Sequence, residues 1–202
     1  MEWLRYGRQH YPNRKCINEY TYRDIYSAVV HVATRLQALP DTRIAIVSDN
    51  SVTMAVYLLA SMLVHKEVLL LNVHLTAREI ENQLCQLHIT TVLHSAKRRE
   101  QVPKSVKAIE LESMDVVLHD EVKDIFDWTV DDNDIAAIMN TSATTGQFKS
   151  VPLRWGQIKA HVQASQEVLG RTEQDNWLMV LPLFHVSRSE EHTSELQSPL
   201  II

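Results

Sequence analysis

The feature that most restricts the fold of this chain is an alternation between short apolar runs and longer amphipathic segments. The apolar runs are rich in aliphatic and β-branched side chains, as buried strands are; they cover residues 43–48, 68–71, 90–93 and 106–111. Strands that alternate with helices are joined by crossovers, which favour parallel pairing with helices on both faces of the sheet. The sequence therefore predicts an α/β fold with a mostly parallel sheet flanked by helices.

Helix boundaries carry signals of their own. Side chains that can accept backbone N–H groups precede three segments: Thr21 and Thr76, each followed three residues later by a carboxylate as in a capping box, and Asn50 or Ser51. These helices are predicted to end near residues 39, 64 and 87. A further helix is predicted over residues 157–169, with Gly170 as its stop.

The composition is that of an ordinary globular protein. Hydrophobic residues make up 45% and charged residues 22% of the 202 residues, and the net charge of −5 gives no sign of nucleic-acid binding. The first residues lack a signal-peptide pattern and no apolar run is long enough to span a bilayer, so a cytoplasmic location is expected. Cys16 and Cys85 are isolated and are predicted to be buried thiols rather than a disulfide framework.

The most informative segment for function lies at residues 134–155. An apolar run at 135–139 predicts a strand, a turn with hydroxyls at 141, 142, 144 and 145 follows it, and Lys149 precedes a second strand at 151–155. Hydroxyls, consecutive backbone N–H groups and an ammonium together are suited to holding polyphosphate. The same residues also suit an ordinary polar turn of a hairpin. The residue chemistry alone leaves both interpretations open.

This segment resembles the phosphate loop of the adenylate-forming superfamily, which includes acyl-CoA synthetases, luciferases and adenylation domains of peptide synthetases. The pattern of that superfamily is [Ser/Thr]-[Ser/Thr]-Gly-[Ser/Thr]-[Ser/Thr]-Gly-x-Pro-Lys-Gly. Residues 141–150 match its four hydroxyls, its second glycine and its lysine. They depart from it at Ala143, Phe148 and Ser150. If the backbone at Ala143 needs a positive φ, alanine adds strain of about 1–3 kcal/mol.

A second motif resembles the next core motif of the same superfamily. Residues 175–187 form a strand-like run that ends in Pro-Leu-Phe-His-Val-Ser. In the superfamily this histidine lies beside the acyl-adenylate pocket, and the corresponding residue here is His185. Apart from the resemblance, a histidine after an apolar strand would be interpreted as a packed polar residue.

The resemblance implies an incomplete N-terminal part of an adenylate-forming large domain, and an ATP-dependent acid–thiol ligase with ATP, Mg²⁺ held through the ATP phosphates, and CoA as co-substrate. It assigns the ATP phosphates to a loop formed by Thr141, Ser142, Ala143, Thr144, Thr145, Gly146 and Lys149. It assigns His185 to the acyl and adenylate pocket. Within the superfamily, the chain most resembles the bacterial 2-succinylbenzoate–CoA ligases of menaquinone biosynthesis, through residues 3–4, 11–14, 71–76, 134–139 and 174–178.

The last residues have a different character. Residues 188–198 match the frame translation of a widely used short-read sequencing adapter, although a polar, charged tail would have a similar composition. We therefore expect residues 1–187 to be the N-terminal fragment of an AMP-binding domain and residues 188–202 to be a non-native tail. The adenine-binding motif, the magnesium-binding glutamate and the C-terminal small domain of the superfamily lie downstream of this point, so the chain as written is expected to be inactive.

Two other groups of residues contain side chains that can bind metal ions. Carboxylates are dense over residues 112–134, but their spacing does not repeat, and a solvated connector is the favoured interpretation over a metal site. The histidines at 65, 74, 88, 94 and 119 are scattered without a ligand spacing, so no metal site is predicted.

Three functional hypotheses follow. The first is an incomplete CoA ligase acting on 2-succinylbenzoate. The second is another acyl-CoA synthetase, acting on a fatty or aryl acid. The third is a non-catalytic nucleotide-binding relic, for which Ala143 is the main argument.

Overall fold

The computed structural model describes residues 1–119, 123–142, 148–170 and 182–184. Its helices are α1 (Glu2–His10), α2 (Tyr22–Gln37), α3 (Val52–Leu63), α4 (Ala77–Gln86), α5 (Met114–His119) and α6 (Trp155–Leu169). Its strands are β1 (Lys15–Ile17), β2 (Tyr20–Thr21), β3 (Arg43–Val47), β4 (Glu67–Leu70), β5 (Thr91–His94), β6 (Lys107–Glu110), β7 (Ile135–Ser142) and β8 (Phe148–Arg154). A short 3₁₀ helix covers Ala96–Gln101.

The main sheet has the strand order β6-β5-β3-β4-β7-β8. All neighbouring strands in it run parallel, except β7 and β8, which form an antiparallel hairpin at one edge. The chain steps from β3 to β4 in one direction and from β4 back past β3 to β5 in the other. Because such crossovers are right-handed, α3 and α4 lie on opposite faces of the sheet. The predicted α/β fold with a mostly parallel, helix-flanked sheet is confirmed.

The core is built on the two strands at the centre of this sheet. In β3 the four residues Ile44–Val47 have no exposed surface, and Val68 and Leu69 of β4 are equally buried. Strands that are covered on both faces have continuous apolar sequences rather than alternating ones. This pattern is the one from which the sequence predicts both strands. Within the described part of the chain, no helix has the length and apolarity needed to cross a membrane.

Three of the predicted helix starts are confirmed by individual hydrogen bonds. Thr21 and Thr76 are N-caps of complete capping boxes, in which the side chain of the cap and that of the carboxylate three residues later each bond to the other's backbone N–H. Ser51, rather than Asn50, caps α3 by accepting a hydrogen bond from the backbone N–H of Met54. The last predicted helix begins at Trp155, two residues earlier than expected, and ends before Gly170.

The prediction of a solvated connector over residues 112–134 holds for most of its described side chains, which are exposed or half-buried, but not for three apolar ones. α5 buries Met114 and Val117, and Trp128 is only 1% exposed. The ring of Trp128 stacks on Tyr26 with centroids 4.9 Å apart, and its Nε1 donates a hydrogen bond to Asp124 at 2.9 Å. The connector is therefore anchored to the core at these points.

Two smaller expectations also need correction. Cys16 is buried as predicted, but Cys85 is exposed, because it lies on the side of α4 that faces away from the sheet. The sequence predicts a turn from residue 141, but Thr141 and Ser142 continue β7 and pair with Lys149 and Phe148 of β8.

Candidate functional site

The described ends of the predicted phosphate loop, Thr141 and Lys149, lie at the carboxyl edge of the parallel strands. β4 and β7 pair in register at Leu69 with Ile138 and at Leu70 with Met139. β4 ends at Leu70, whereas β7 continues to Ser142. Thr141 is therefore carried past the end of the neighbouring strand. In open α/β sheets, ligands bind in crevices at this edge.

The hairpin brings two of the predicted site residues together. Thr141 lies opposite Lys149 in the ladder of β7 and β8, and the Thr141 hydroxyl donates to the backbone carbonyl of Lys149 at 3.3 Å. That distance is long for a hydroxyl donor, so the bond is weak and the hydroxyl can turn to another acceptor. Both side chains are exposed. A hydroxyl and an ammonium on the same exposed face fit the chemistry of phosphate oxygens.

The remaining predicted residues of the loop are not placed. Ser142 is described only as part of the β7 backbone, and Ala143, Thr144, Thr145 and Gly146 lie outside the described residues. His185 also lies outside them. Among the parts of the chain that the structure describes, no group of three or more His, Cys, Asp and Glu side chains is arranged to hold a metal ion.

The residues just before His185 reach the same edge of the sheet. The backbone N–H of Leu183 donates to the side-chain oxygen of Asn50 at 3.0 Å, and Asn50 lies in the loop after β3. Phe184 is 5% exposed and meets the ring of His74, which follows β4, edge-on at a centroid distance of 6.5 Å. The described residues of the second sequence motif, 182–184, therefore lie beside the ends of β3 and β4.

An ion pair and neighbouring hydrogen bonds connect the loops that follow β3 and β4 to the 3₁₀ helix after β5. Arg98, in the 3₁₀ helix after β5, donates to Asp49 after β3 at 2.6 Å and to the carbonyl of Val73 at 3.3 Å. Gln101 donates to the carbonyls of Val73 and Leu75. The hydrogen bond from Arg98 holds the pKa of the Asp49 carboxyl below its usual value. These contacts fix the loop that carries His74.

Sequence reasoning missed a group of amide and hydroxyl side chains behind the hairpin. Asn140 donates from Nδ2 to the Oε1 atom of Gln83 on α4 at 2.5 Å and accepts from the Ser150 hydroxyl at 2.6 Å. Gln86, one turn further along α4, donates to the carbonyl of Phe148 at 3.5 Å. Gln83 is the residue that could have indicated this group from the sequence, because it is polar but lies in the buried stripe of α4 that also contains Ile80 and Leu84.

Comparison with known sequences gives consistent relatives. The chain is 43% identical over 189 residues to the 2-succinylbenzoate–CoA ligase of Lactococcus lactis, covering 93% of this chain and 41% of that protein. It is 32% identical over 194 residues to the enzyme of the same name from Enterococcus faecalis, covering 93% and 40%. The chain thus spans about two fifths of the length of these curated relatives.

Solved structures agree with the sequence relatives. The o-succinylbenzoate CoA synthetase of Bacillus subtilis, in complex with the acyl-adenylate intermediate, superposes with a TM-score of 0.78 at 27% identity, covering 91% of this chain and 50% of that one. The same synthetase in complex with ATP and magnesium ion gives a TM-score of 0.78 at 27% identity, covering 92% and 52%.

The family comparison covers nearly the whole chain. The sequence model described as "AMP-binding enzyme" matches residues 5–193, a range that includes the strands of the sheet, the hairpin and the segment around Phe184. The chain therefore belongs to the AMP-binding enzyme family.

Proposed function

We propose that this chain is the N-terminal part of an AMP-forming carboxylate–CoA ligase whose carboxylate is 2-succinylbenzoate. The observation that carries the proposal is the position of Thr141 and Lys149, which lie opposite each other on an exposed hairpin at the carboxyl edge of the sheet. The names of the relatives from Lactococcus lactis and Enterococcus faecalis support the choice of substrate. The complexes of the Bacillus subtilis synthetase with ATP and magnesium ion and with the acyl-adenylate support the choice of cosubstrate.

The reaction proposed has two transfers. The substrate carboxylate attacks the α-phosphorus of ATP, the bond to the bridging oxygen breaks, and pyrophosphate leaves. The thiol of CoA then attacks the acyl carbon, loses its proton and displaces AMP, which gives the thioester. Mg²⁺ bound to the phosphate oxygens would offset the negative charge that the leaving pyrophosphate develops.

The chain's own contribution is to bind and orient the phosphates. Thr141 and Lys149 would supply a hydroxyl and an ammonium to the β- and γ-phosphate oxygens. The other residues of the predicted phosphate loop would add hydroxyls and backbone N–H groups: Ser142, Ala143, Thr144, Thr145 and Gly146. Donors fixed before the reaction stabilise charge in the transition state without the cost of reorganising solvent. His185, which follows the packed Phe184, would border the acyl and adenylate pocket.

ATP–pyrophosphate exchange by the full-length parent protein tests the proposal. We expect exchange that depends on 2-succinylbenzoate. Exchange that depends only on fatty or simple aryl acids would assign the chain to another acyl-CoA synthetase, and no exchange with any acid would favour a non-catalytic relic.

A pair of lysine variants tests the proposed site itself. Lys149→Ala is expected to lower kcat/KM for ATP about a hundredfold, as loss of a preorganised charged donor does. Lys159→Ala is the matched control, because Lys159 lies on α6 and its ammonium pairs with Asp132 at 2.5 Å, away from the hairpin turn. Equal effects of the two variants would contradict the assignment of Lys149.

A further inference from the structure

We propose that Gln83, Asn140 and Ser150 act as positioning residues that fix the phosphate-binding hairpin onto α4. The Ser150 hydroxyl donates to Oδ1 of Asn140 at 2.6 Å, and Nδ2 of Asn140 donates to Oε1 of Gln83 at 2.5 Å. Both ends of the Asn140 amide are therefore engaged, which determines its orientation. The functional part of this inference rests on the function proposed above, whereas its structural part does not.

The arrangement follows from the pleat of the hairpin. Asn140 lies opposite Ser150, and Thr141 lies opposite Lys149, in successive pairs of the antiparallel ladder. Successive residues of a strand point to opposite faces, and directly opposed residues point to the same face. Asn140 and Ser150 therefore face α4, while Thr141 and Lys149 face solvent. Thr141 and Lys149 are thus each covalently adjacent to one member of the hydrogen-bonded group.

The hairpin needs such support because β4 is shorter than β7. The last registered pair between these strands joins Leu70 to Met139, so Asn140 and the residues after it extend beyond the neighbouring strand. On the far side, β8 is the edge strand of the sheet. The hydrogen bonds between α4 and the hairpin therefore support Asn140 and Phe148, which lie beyond the end of β4.

The anchor on α4 is itself immobilised. Gln83 is only 2% exposed, and its neighbours Ile80 and Leu84 are fully buried or nearly so, at 0% and 1%. The capping box at Thr76 fixes the start of the helix. The Gln83 amide is already held in a packed core, so it loses little further conformational entropy when it binds Asn140. Its hydrogen bond therefore restricts the motion of the hairpin relative to α4.

Hydrogen exchange of the 202-residue chain without ATP tests the structural part. Loss of one hydrogen bond should speed exchange of the hairpin amides near residues 140–142 and 148–150 about fivefold in Ser150→Ala. Ser150→Thr keeps the hydroxyl and should restore protection. Ser105→Ala is the matched control, because the Ser105 hydroxyl also makes a 2.6 Å hydrogen bond, to Glu81, outside the hairpin. Unchanged exchange in Ser150→Ala, or no rescue by threonine, would overturn the proposal.

Kinetics of the full-length parent protein test the functional part. Ser150→Ala and Gln83→Met, which removes the amide acceptor at similar volume, should each raise KM for ATP about fivefold and leave KM for the carboxylate unchanged. Equal rises in both KM values, or none, would overturn the positioning role. If the wild-type protein shows no ATP–pyrophosphate exchange, the proposed function fails, and hydrogen exchange still decides whether the hairpin is anchored as described.

Discussion

Replacement of Asp124 by alanine should be one of the more damaging single changes in the chain, although the residue lies in a segment of acidic composition. Its carboxylate accepts hydrogen bonds from the Tyr26 hydroxyl, from Trp128 Nε1 at 2.9 Å and from the backbone N–H of Phe126 at 3.0 Å. Trp128 is 1% exposed, so its indole N–H cannot reach solvent when the carboxylate is removed. The Asp124 carboxylate therefore supplies the acceptor for the buried indole N–H and also stabilises the turn at residues 124–126.

The expected loss of stability depends on whether each donor can find another acceptor once the carboxylate is removed. A buried donor left without an acceptor costs about 2 kcal/mol. Tyr26 is half-buried and can turn its hydroxyl to water, so loss of that bond adds about 1 kcal/mol. Asp124→Ala should thus lower the free energy of unfolding by about 3 kcal/mol. Asp124→Asn, which keeps one carbonyl oxygen, should cost roughly half as much.

Urea unfolding of the 202-residue chain and its variants measures these losses. Asp127→Ala is the matched control, because that exposed carboxylate accepts from the backbone N–H of Thr129, and its removal should leave the free energy of unfolding nearly unchanged. In a Trp128→Phe background the cost of Asp124→Ala should fall by about 2 kcal/mol, because the stranded donor is gone. An equal cost in both backgrounds would refute the reasoning.

Four further outcomes are expected. Thr76→Ala removes the acceptor of a capping box and should cost about 1 kcal/mol in urea unfolding; no change would contradict the cap. Gly7→Ala would place a Cβ 2.2 Å from the Tyr22 ring and should cost about 1–3 kcal/mol, with partial recovery in Gly7→Ala/Tyr22→Ala. Burial, and then the hydrogen bond to a carboxylate, raises the pKa of Tyr26 to about 12 from its ordinary value of 10, so stability present below pH 10 should be lost as the pH rises towards 12. Tyr26→Phe should remove that part of the decline. Resequencing the source locus without the adapter should replace the codons of residues 188–198; recovery of the same codons would contradict the adapter interpretation.

The features that could be predicted from the sequence are those governed by local chemistry. The caps at Thr21, Ser51 and Thr76 depend on residues three positions apart, and the strands at 43–48 and 68–71 depend on their own apolar content. For these elements the structure moves the boundaries by only one or two residues, because helix and strand ends depend on tertiary contacts that a local pattern does not contain.

The features that could not be predicted depend on partners far along the chain. The burial of Trp128 requires Tyr26, and nothing in an acidic segment indicates which aromatic residue will be stacked. Cys85 and Gln83 lie two positions apart on α4, yet the first is exposed and the second buried, because only one side of the helix meets the sheet. The length of β7 also depended on β8, since pairing with Lys149 and Phe148 converts a predicted turn into strand.

The antiparallel direction of β8 is what makes the candidate site compact. A parallel strand after β7 would need a crossover of a dozen or more residues, which would carry Lys149 away from Thr141. A hairpin instead returns the chain at once, so that the lysine lies directly opposite the threonine at the open edge of the sheet. The same return places Ser150 opposite Asn140 on the inner face, where Asn140 accepts from Ser150 and donates to Gln83 of α4. One reversal of direction therefore sets both the proposed phosphate contacts and the contacts that hold them in place.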